Sequence, residues 1–450
     1  MSDELDQFAK AHGLVTPLEK AATEEALCEY LREKIAELFG PVRCHGKDWL
    51  IYDEGIWRIV EPDLFGNLIL DVMHPDVRSA HRADNLEAFL GRRLRAEAPV
   101  EYHSCYKFGA AGAVLVNCAN GVLSVSKEKV EILAHSPEHN FRAKIVTAYQ
   151  SEAECPVFEQ AIQDAMPDGE DIALFRLFAG YLLSPSCRYN CCLVLYGEST
   201  TGKSRVAEAV SNVLGDELTC YLSLHEMCND THKHSLPELE HKLLNLSTEV
   251  DAAEIGSSDI FKSLISGEPR MVARKYGHPF KMATQCKHWF LSNHPPYFKH
   301  ATDAEMNRVR IIHFPARVKE VDVHFADKLR GETQGIFRFM IDGLRDLLGK
   351  KVIPQGGSRS QTRASDNAER LDPVKHFFEQ CCDVDPDSYE TKDAIFEAFE
   401  QWRDDHDVPP MYRDWFFRNL KTRFGLTYKR FRDVGRRYCV AGIRLKAVWE

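Results

Sequence analysis

The sequence contains no CxxC pair, although fourteen cysteines are spread over its 450 residues. They are scattered, and two pairs are adjacent, Cys191-Cys192 and Cys381-Cys382. A zinc ribbon is thereby excluded, and reduced thiols are expected rather than a disulfide framework. Cys220, His225, Cys228, His232 and His234 lie close together, but their spacing is not that of two zinc-ligand pairs, and the stretch reads as a polar loop. No run approaches the roughly 18 apolar residues of a membrane span, so no membrane partner is expected. The opening MSDELDQFAKAHG lacks the apolar core of a secretory signal, which makes a cytoplasmic location the expectation. Internal repeats and low-complexity tracts are missing too. Positive charge is in deficit, with a formal net charge of −11. That argues against coating nucleic acid with the whole surface and leaves local basic patches as the only route to phosphate contact.

What is present is a globular composition, 44% hydrophobic and 28% charged, in a chain long enough for several domains of roughly 100 to 200 residues each. Residues 1–150 read as an α+β domain. A helix after Thr16-Pro17 places Leu27, Leu31, Ile35 and Leu38 on one face and ends at Gly40. WLIY and IWRIV flank Asp53-Glu54-Gly55 as a hairpin, and AVLVNCANGVLSV forms another with its turn at Asn120-Gly121. Trp49, Tyr52 and Trp57 are expected in the core. Residues 151–353 begin with a helical pattern from Pro156 to Leu183, a collar ahead of an α/β domain. Residues 354–370, around PQGGSRSQTRASDN, read as a linker. In 371–450, three helices and a closing hairpin suggest a winged-helix-like module.

The chemistry concentrates in the α/β domain. CCLVLY runs as a strand into Gly197-Glu198-Ser199-Thr200-Thr201-Gly202-Lys203-Ser204, and an amphipathic helix follows to Gly215. Strand, glycine-rich turn and helix form the context in which a GxxxxGK[ST] segment binds nucleotide phosphates. Backbone N–H groups of the loop, with Gly197, Thr200, Thr201 and Gly202, would cradle the phosphates of ATP. Lys203 would reach the β- and γ-phosphates, and Ser204 would give an oxygen to Mg²⁺. KLLNLSTEVD is a second core strand ending in Glu249, suited to Mg²⁺, to the attacking water, or to both; Asp251 is the weaker acid. A solvent-exposed acid at a strand end is the alternative for Glu249. HWFLSN ends in Asn293, which either orients the attacking water or simply initiates the Pro295-Pro296 turn. Arg308 and Arg310 follow in NRVRIIHF, and an arginine there can project from a subunit edge onto a neighbour's nucleotide. Lys262 stands on a short helix, and Arg274, Lys275, Tyr276 and His278 occupy a hairpin tip. In a ring ATPase such a tip would enter the pore and meet a single strand; otherwise it is an ordinary surface hairpin. No guanine-reading NKxD, no LSGGQ, and no DEAD or DEAH motif occurs.

These residues carry a resemblance. From residue 100 to 445 the chain resembles the superfamily 3 helicases of the phage and plasmid primase-helicase type, related to the poxvirus helicase-primase. GESTTGKS, LLNLSTEVD, FKSLISGEPRMVARKY, FLSNHPP and NRVRIIHF stand in that family's order. Upstream VNCANGVLSV, HSP and CPVFEQ, and downstream LRGETQGIFRFMIDGLRDLL and DPVKHFFEQCC, extend the likeness. The resemblance implies an AAA+ P-loop core, assembled as a hexameric ring that moves 3′ to 5′ on single-stranded DNA. Lys203 and Ser204 fall on the family's phosphate loop, Glu249 on its acid, Asn293 on its sensor and Arg308 on its finger. Two departures matter. Family members often have two adjacent arginines where this chain has Asn307-Arg308, which leaves Arg310 in contention as the finger. Paired acids elsewhere in the superfamily are replaced by Thr248-Glu249-Val250, which leaves open how metal binding and base are divided. Residues 1–150 show no hydrophobic-Asp-x-Asp strand, so a separate primase is expected.

The terminal module is locally basic, with Arg418, Lys421, Lys429, Arg430, Arg436 and Arg437 against Asp414 and Asp433. A helix over 412–424 with a 427–445 hairpin could read duplex DNA at an origin, or the patch could be a solvated basic face. Taken together, an ATP-driven replicative helicase acting on single-stranded and forked DNA in the host cytoplasm is expected. The alternatives are an initiator that uses ATP for assembly, and a remodelling or defence ATPase without unwinding.

Overall fold

A computed structural model describes residues 24–45, 48–60, 63–73, 76, 79–94, 101–228, 234–248, 258–293, 307–316, 322–357, 373–406, 408, 410–430 and 438–446. The chain divides into two compact units, the first comprising residues 1–153 with 183–185 and 213–218, the second the remainder.

In the first unit, α1 (Glu24–Phe39) buries Leu27, Leu31 and Ile35 at the expected spacing and stops at Gly40, whose φ is +71°. Strands β1 (Val42–His45), β2 (Asp48–Asp53) and β3 (Ile56–Ile59) form an antiparallel sheet in that order. Asp53 pairs with Ile56, so Glu54 and Gly55, both at positive φ, make the two-residue turn that matches strand twist. Helices α2 (Asp63–Val72) and α3 (Ala80–Leu94) complete a core of Leu31, Trp49, Phe65, Ile69, Leu86 and Leu90. Trp49 and Trp57 are buried as expected, and Tyr52 is half-buried. Strands β4 (Tyr106–Phe108), β5 (Val114–Cys118), β6 (Gly121–Val125) and β7 (Val130–Leu133) form a second antiparallel sheet. The β5–β6 turn sits one residue earlier than the sequence indicated. Cys118 already pairs with Gly121, leaving Ala119-Asn120 as the loop. Gly121 is needed for close approach instead, since a Cβ there would lie 2.6 Å from the Leu133 carbonyl oxygen.

The second unit opens with two helices where one pattern was read, α4 (Pro156–Ala165) and α5 (Gly169–Tyr181). Pro167 stops the first, because it can neither donate a hydrogen bond nor let Met166 stay helical. Asp168 caps the second, its side chain accepting the Glu170 N–H at 2.9 Å. Next come β8 (Cys192–Tyr196), α6 (Lys203–Leu214), β9 (Thr219–Cys220), α7 (Leu224–Cys228) and β10 (Leu244–Ser247). Helix α8 (Ser258–Ser266), the hairpin β11 (Arg270–Val272) and β12 (Phe280–Met282), then β13 (Lys287–Ser292) and β14 (Val309–His313) follow. The sheet is five-stranded in the order β14-β8-β13-β10-β9 and every pairing is parallel. The protein is therefore α/β. Its strands are buried on both faces, which is why CLVLY and KHWFLS read as unbroken runs rather than alternating ones. Helices α9 (Phe325–Gly331) and α10 (Thr333–Leu348) come last, and α10 lies along α5 where Gly180 meets Gly343.

Residues 373–446 of this unit build a core of their own. Helix α11 (Pro373–Cys381), β15 (Cys382–Thr391), α12 (Lys392–Asp405), α13 (Arg413–Phe424), β16 (Thr427–Arg430) and β17 (Tyr438–Leu445) enclose Phe377, Phe399, Trp402, Phe416 and Leu420. The sheet runs β15-β17-β16, antiparallel. Three helices and the closing hairpin match the sequence reading; β15 is an addition to it.

All fourteen cysteines are buried and none is in a disulfide. Cys220 and Cys228 belong to the core around the parallel sheet, and His232 lies outside the described residues. Among the described residues no helix is long and apolar enough to cross a membrane.

His288 gives this core a pH signature. It is 1% exposed in β13, and burial, reinforced by Lys287, pushes its pKa down from 6.5 to about 3. Between those values only the unfolded chain takes the proton, so the unfolded state binds more protons and stability falls as pH drops from 6.5. At about 1.4 kcal/mol per unit this amounts to about 2 kcal/mol by pH 5. His288→Phe should flatten that part of the curve of urea midpoint against pH. Parallel curves for the two proteins would show that His288 is not the group responsible.

Candidate active site

The turn after β8 is built by two constraints. Gly197 donates its N–H to the Ser292 carbonyl at 3.2 Å, and a Cβ there would stand 2.4 Å from the Phe314 carbonyl oxygen, so no side chain fits. Thr200 and Gly202 then take φ of +64° and +87°. Left-handed residues of this kind turn successive N–H groups towards one side, making a concavity suited to anions. For the β-branched Thr200 this conformation costs about 1–3 kcal/mol, and strain of this size concentrates at functional sites.

Lys203 opens α6 and is 7% exposed. Its Nζ donates to the carbonyls of Gly197 at 2.6 Å and Glu198 at 2.7 Å, to Thr201 Oγ1 at 3.2 Å and to Asn293 Oδ1 at 3.1 Å. Burial lowers its pKa from the ordinary lysine value. The ammonium is thus held in the throat of the loop by acceptors that an anionic phosphate oxygen would outcompete. Ser204 is exposed on the same turn of α6.

Sheet register explains the contact with Asn293. Leu291 pairs with Leu195 and Ser292 with Tyr196, so the residue following β13 emerges level with Gly197, which follows β8. An amide and a lysine far apart in sequence meet because their strands are neighbours. In parallel sheets ligands bind beyond the carboxyl ends of the strands, which is where both lie. Strand β10, on the far side of β13, ends at Ser247; Glu249 and Asp251 lie outside the described residues. Ser247 was not singled out from sequence. Its Oγ is buried without a hydrogen-bond partner among the described residues, and a hydroxyl closing the apolar run LLNLS was the available signal. Thr248, with Arg205, Glu208, Tyr221 and Arg330, lines a cavity of 270 Å³ on the α6 side.

The arginines lie elsewhere. Val309 pairs with Cys192 and Arg310 with Leu193, so both Arg308 and Arg310 sit at the amino end of the sheet. At about 3.3 Å per residue they are roughly 13 Å or more along the strands from the loop of their own chain. Arg310 donates to the carbonyls of Asn307, Ile353 and Pro354 at 2.8, 3.2 and 3.0 Å, which ties the end of the domain onto the edge strand β14. Arg308 is half-buried, and its carbonyl accepts the Cys192 N–H.

The hairpin tip is exposed, with Tyr276 at 96% and Lys275, Gly277 and His278 beside it. Arg274 has another task. It pairs with Glu240 and lies 4.7 Å from the Phe280 ring, while His234 Nδ1 contacts the Ala273 carbonyl at 3.0 Å. Arg274 therefore props the hairpin and Lys275 and Tyr276 crown it. Lys262 stands on α8, 3.7 Å from Asp259. In the terminal module Arg418, Lys421, Lys429 and Arg430 are all exposed on α13 and β16, whereas Arg436 and Arg437 lie outside the described residues. Lys392 joins this patch, 4.0 Å from the Tyr428 ring; nothing in its sequence neighbourhood marked it.

A family model described as a family of unknown function (DUF5906) matches residues 195–308. No curated protein matches the sequence. Among solved structures the chain is similar to the A form apo structure of the NrS-1 C terminal region, at 12% identity and a TM-score of 0.48, covering 89% of this chain and 95% of that one. A second apo structure of that region gives 12% identity and a TM-score of 0.48, covering 90% and 96%.

Proposed function

We propose that this chain is an ATP-driven DNA helicase serving replication of a phage, prophage or plasmid, with an AAA+ P-loop core that works as a ring. The observation that carries the reading is Lys203 held in a glycine-bounded loop, 3.1 Å from Asn293 at the tip of the neighbouring strand. A lysine for the β- and γ-phosphates and an amide beside it are what phosphoryl transfer to water requires: charge stabilisation and a positioned nucleophile. Ser204 and Glu249 would hold a magnesium ion, which neutralises charge on the phosphates. Asn293 orients the attacking water or senses the γ-phosphate. Arg308, remote from its own loop, reaches the nucleotide of an adjacent subunit, and a homo-oligomer, a hexamer in the family that the chain resembles, supplies that geometry. Arg310, with its guanidinium on three carbonyls, is the weaker finger.

The Lys275-Tyr276 tip pulls one strand: a cation for phosphate and a ring for a base suit single-stranded DNA without sequence preference. The terminal module has the helix and strand order of a winged helix, with α13 as reading helix and β16–β17 as wing, suited to origin duplex. Priming is assigned to a separate protein.

A forked-duplex assay tests the reading. Lys275→Ala should reduce unwinding roughly tenfold or more while basal ATP hydrolysis stays within about twofold, since a lost tip contact removes the grip and not the chemistry. Unimpaired unwinding would remove the tip from the mechanism. Melting of the fork with a non-hydrolysable analogue would identify an assembly factor instead of a motor. A particle that remains monomeric with ATP and single-stranded DNA would remove the role given to Arg308.

A further inference from the structure

The first unit concentrates cations in one place without giving them counter-ions. Several other cations of that unit have counter-ions: Arg93 lies 2.9 Å from Glu25, Lys144 3.1 Å from Glu54 and Arg58 3.5 Å from Asp53. Arg43, Lys107 and Arg142 make no ion pair with any described carboxylate, and all three are half-buried. They lie over rings instead. Arg43 is 4.2 Å from the Trp57 ring, Lys107 5.5 Å from Phe141, and Arg142 5.8 Å from Tyr102.

The three form one patch. Tyr102 packs edge-on against His45 at 5.3 Å and against Trp57 at 6.4 Å. Arg43 Nη1 donates to Asn140 Oδ1 at 2.6 Å, and Lys107 Nζ donates to the His139 carbonyl at 2.8 Å. The backbones interlock, with the His103 N–H donating to the Asn140 carbonyl and the Arg142 N–H to the His103 carbonyl. Trp57 and Phe141, each 1% exposed, are the floor; His45 stands exposed at the rim. Burial lowers the pKa of Lys107, and burial followed by the Lys107 charge lowers that of His103. Asp48 and Glu101 are the acids near enough to bear on these groups, and they do not balance three cations.

Half-buried cations without counter-ions are costly to keep, even where they are hydrogen-bonded. Packing over rings recovers part of that cost, but stem packing alone does not require the charge. We infer that this patch of the amino-terminal unit is a second binding site for single-stranded nucleic acid, with Arg43, Lys107 and Arg142 on successive phosphates and Tyr102 and His45 against bases. The combination of cations tracking a backbone with rings for bases separates a single strand from a duplex, whose bases are not free to stack on protein. The inference goes beyond the helicase reading and does not need the chain to hydrolyse ATP.

The test uses the full-length protein without nucleotide, carrying Lys275→Ala and Tyr276→Ala so that the hairpin does not contribute. Fluorescence anisotropy follows binding of labelled oligo-dT and of a DNA hairpin duplex across a salt series. Adding Arg43→Gln with Arg142→Gln should weaken oligo-dT binding roughly tenfold and reduce the slope of log K against log salt by about 1 to 1.5, the value for two lost contacts to a single strand. Tyr102→Leu should weaken oligo-dT binding and leave the duplex unchanged. If the paired glutamine variant does not fold, Lys107→Gln and His45→Ala read the same contacts from the rim. Unchanged affinity and slope would overturn the inference, as would an equal loss for single strand and duplex with no effect of Tyr102→Leu. Loss of ATP hydrolysis in other assays would leave this result standing, so the two readings fail separately.

Discussion

Lys203→Ala is expected to lower ATP turnover roughly a thousandfold and to abolish unwinding with it. The ammonium is the sole cation in the loop, and its three N–H groups are shared among four acceptors that converge on one point between β8 and β13. In phosphoryl transfer the charge to be stabilised sits on the equatorial oxygens of the γ-phosphate, and removing one fixed donor from such a site costs about 10² to 10³ in rate. Loss of the lysine also leaves two loop carbonyls short of a partner, at about 1–3 kcal/mol for each buried group, so the loop itself should loosen. Asn293→Ala is the control. It removes one of the four acceptors and leaves the ammonium, so nucleotide binding should survive while turnover falls. Steady-state hydrolysis together with equilibrium binding of a fluorescent nucleotide separates the two effects. A Lys203→Ala protein that still turned over ATP near the original rate would place the chemistry elsewhere in the chain.

Gly343→Val is expected to destabilise the second unit by about 3–5 kcal/mol, a larger effect than an ordinary surface substitution in a helix. A Cβ at Gly343 would stand 2.0 Å from the Arg176 carbonyl oxygen, and one at Gly180 would stand 2.1 Å from Gly343 C and Leu344 N. The obstructing atoms are backbone and have no rotamer to escape into. Relief requires α5 and α10 to separate by roughly 1 Å, opening a close-packed contact along both helices. The better helix propensity of valine returns only a few tenths of a kcal/mol. The consequence reaches the candidate site, since α5 holds Phe175 5.4 Å from Trp289, and Trp289 belongs to the strand that carries Asn293 at its end. The unfolding midpoint should fall on the order of 10 °C. Gly343→Ala should lie between the two proteins, because its smaller side chain meets the same carbonyl. A midpoint unmoved in both variants would show that the helices do not cross this closely.

Much of the α/β region was legible because its signals are local. The pattern of a phosphate-binding loop needs a strand, a turn and a helix in immediate succession, and β8, residues 197–202 and α6 are that succession. The hairpin over 270–282 and the strand ending at Asn293 were legible for the same reason. β15 was not. CDVDPDSYET is acidic and contains Pro386, which argues against a strand. It pairs on one side only, as an edge of the order β15-β17-β16, and its register slips between Val384 and Tyr389, around the proline. An edge with a bulge tolerates a residue without an N–H, but whether a strand is an edge depends on the rest of the sheet.

The patch of Arg43, Lys107 and Arg142 was illegible for a related reason: its members come from strands and loops spread over about a hundred residues of chain, and in sequence nothing in the neighbourhood of each marks it. The task of Arg274 was hidden as well, because its partner Glu240 belongs to another segment.

By itself the sequence determined the kind of turn that follows β8, the buried faces of the helices, the exposed crown of the hairpin and a basic terminal module. These follow from spacing along the chain, where periodicity and turn chemistry act between near neighbours. Only the tertiary structure decided that β13 lies beside β8, which brings Asn293 to Lys203. It alone decided that β14 runs parallel on the other side, which leaves Arg308 and Arg310 at the far end from their own loop. Strand order is fixed by how the apolar faces of the whole sheet and its helices are buried together, and no local pattern encodes that sum.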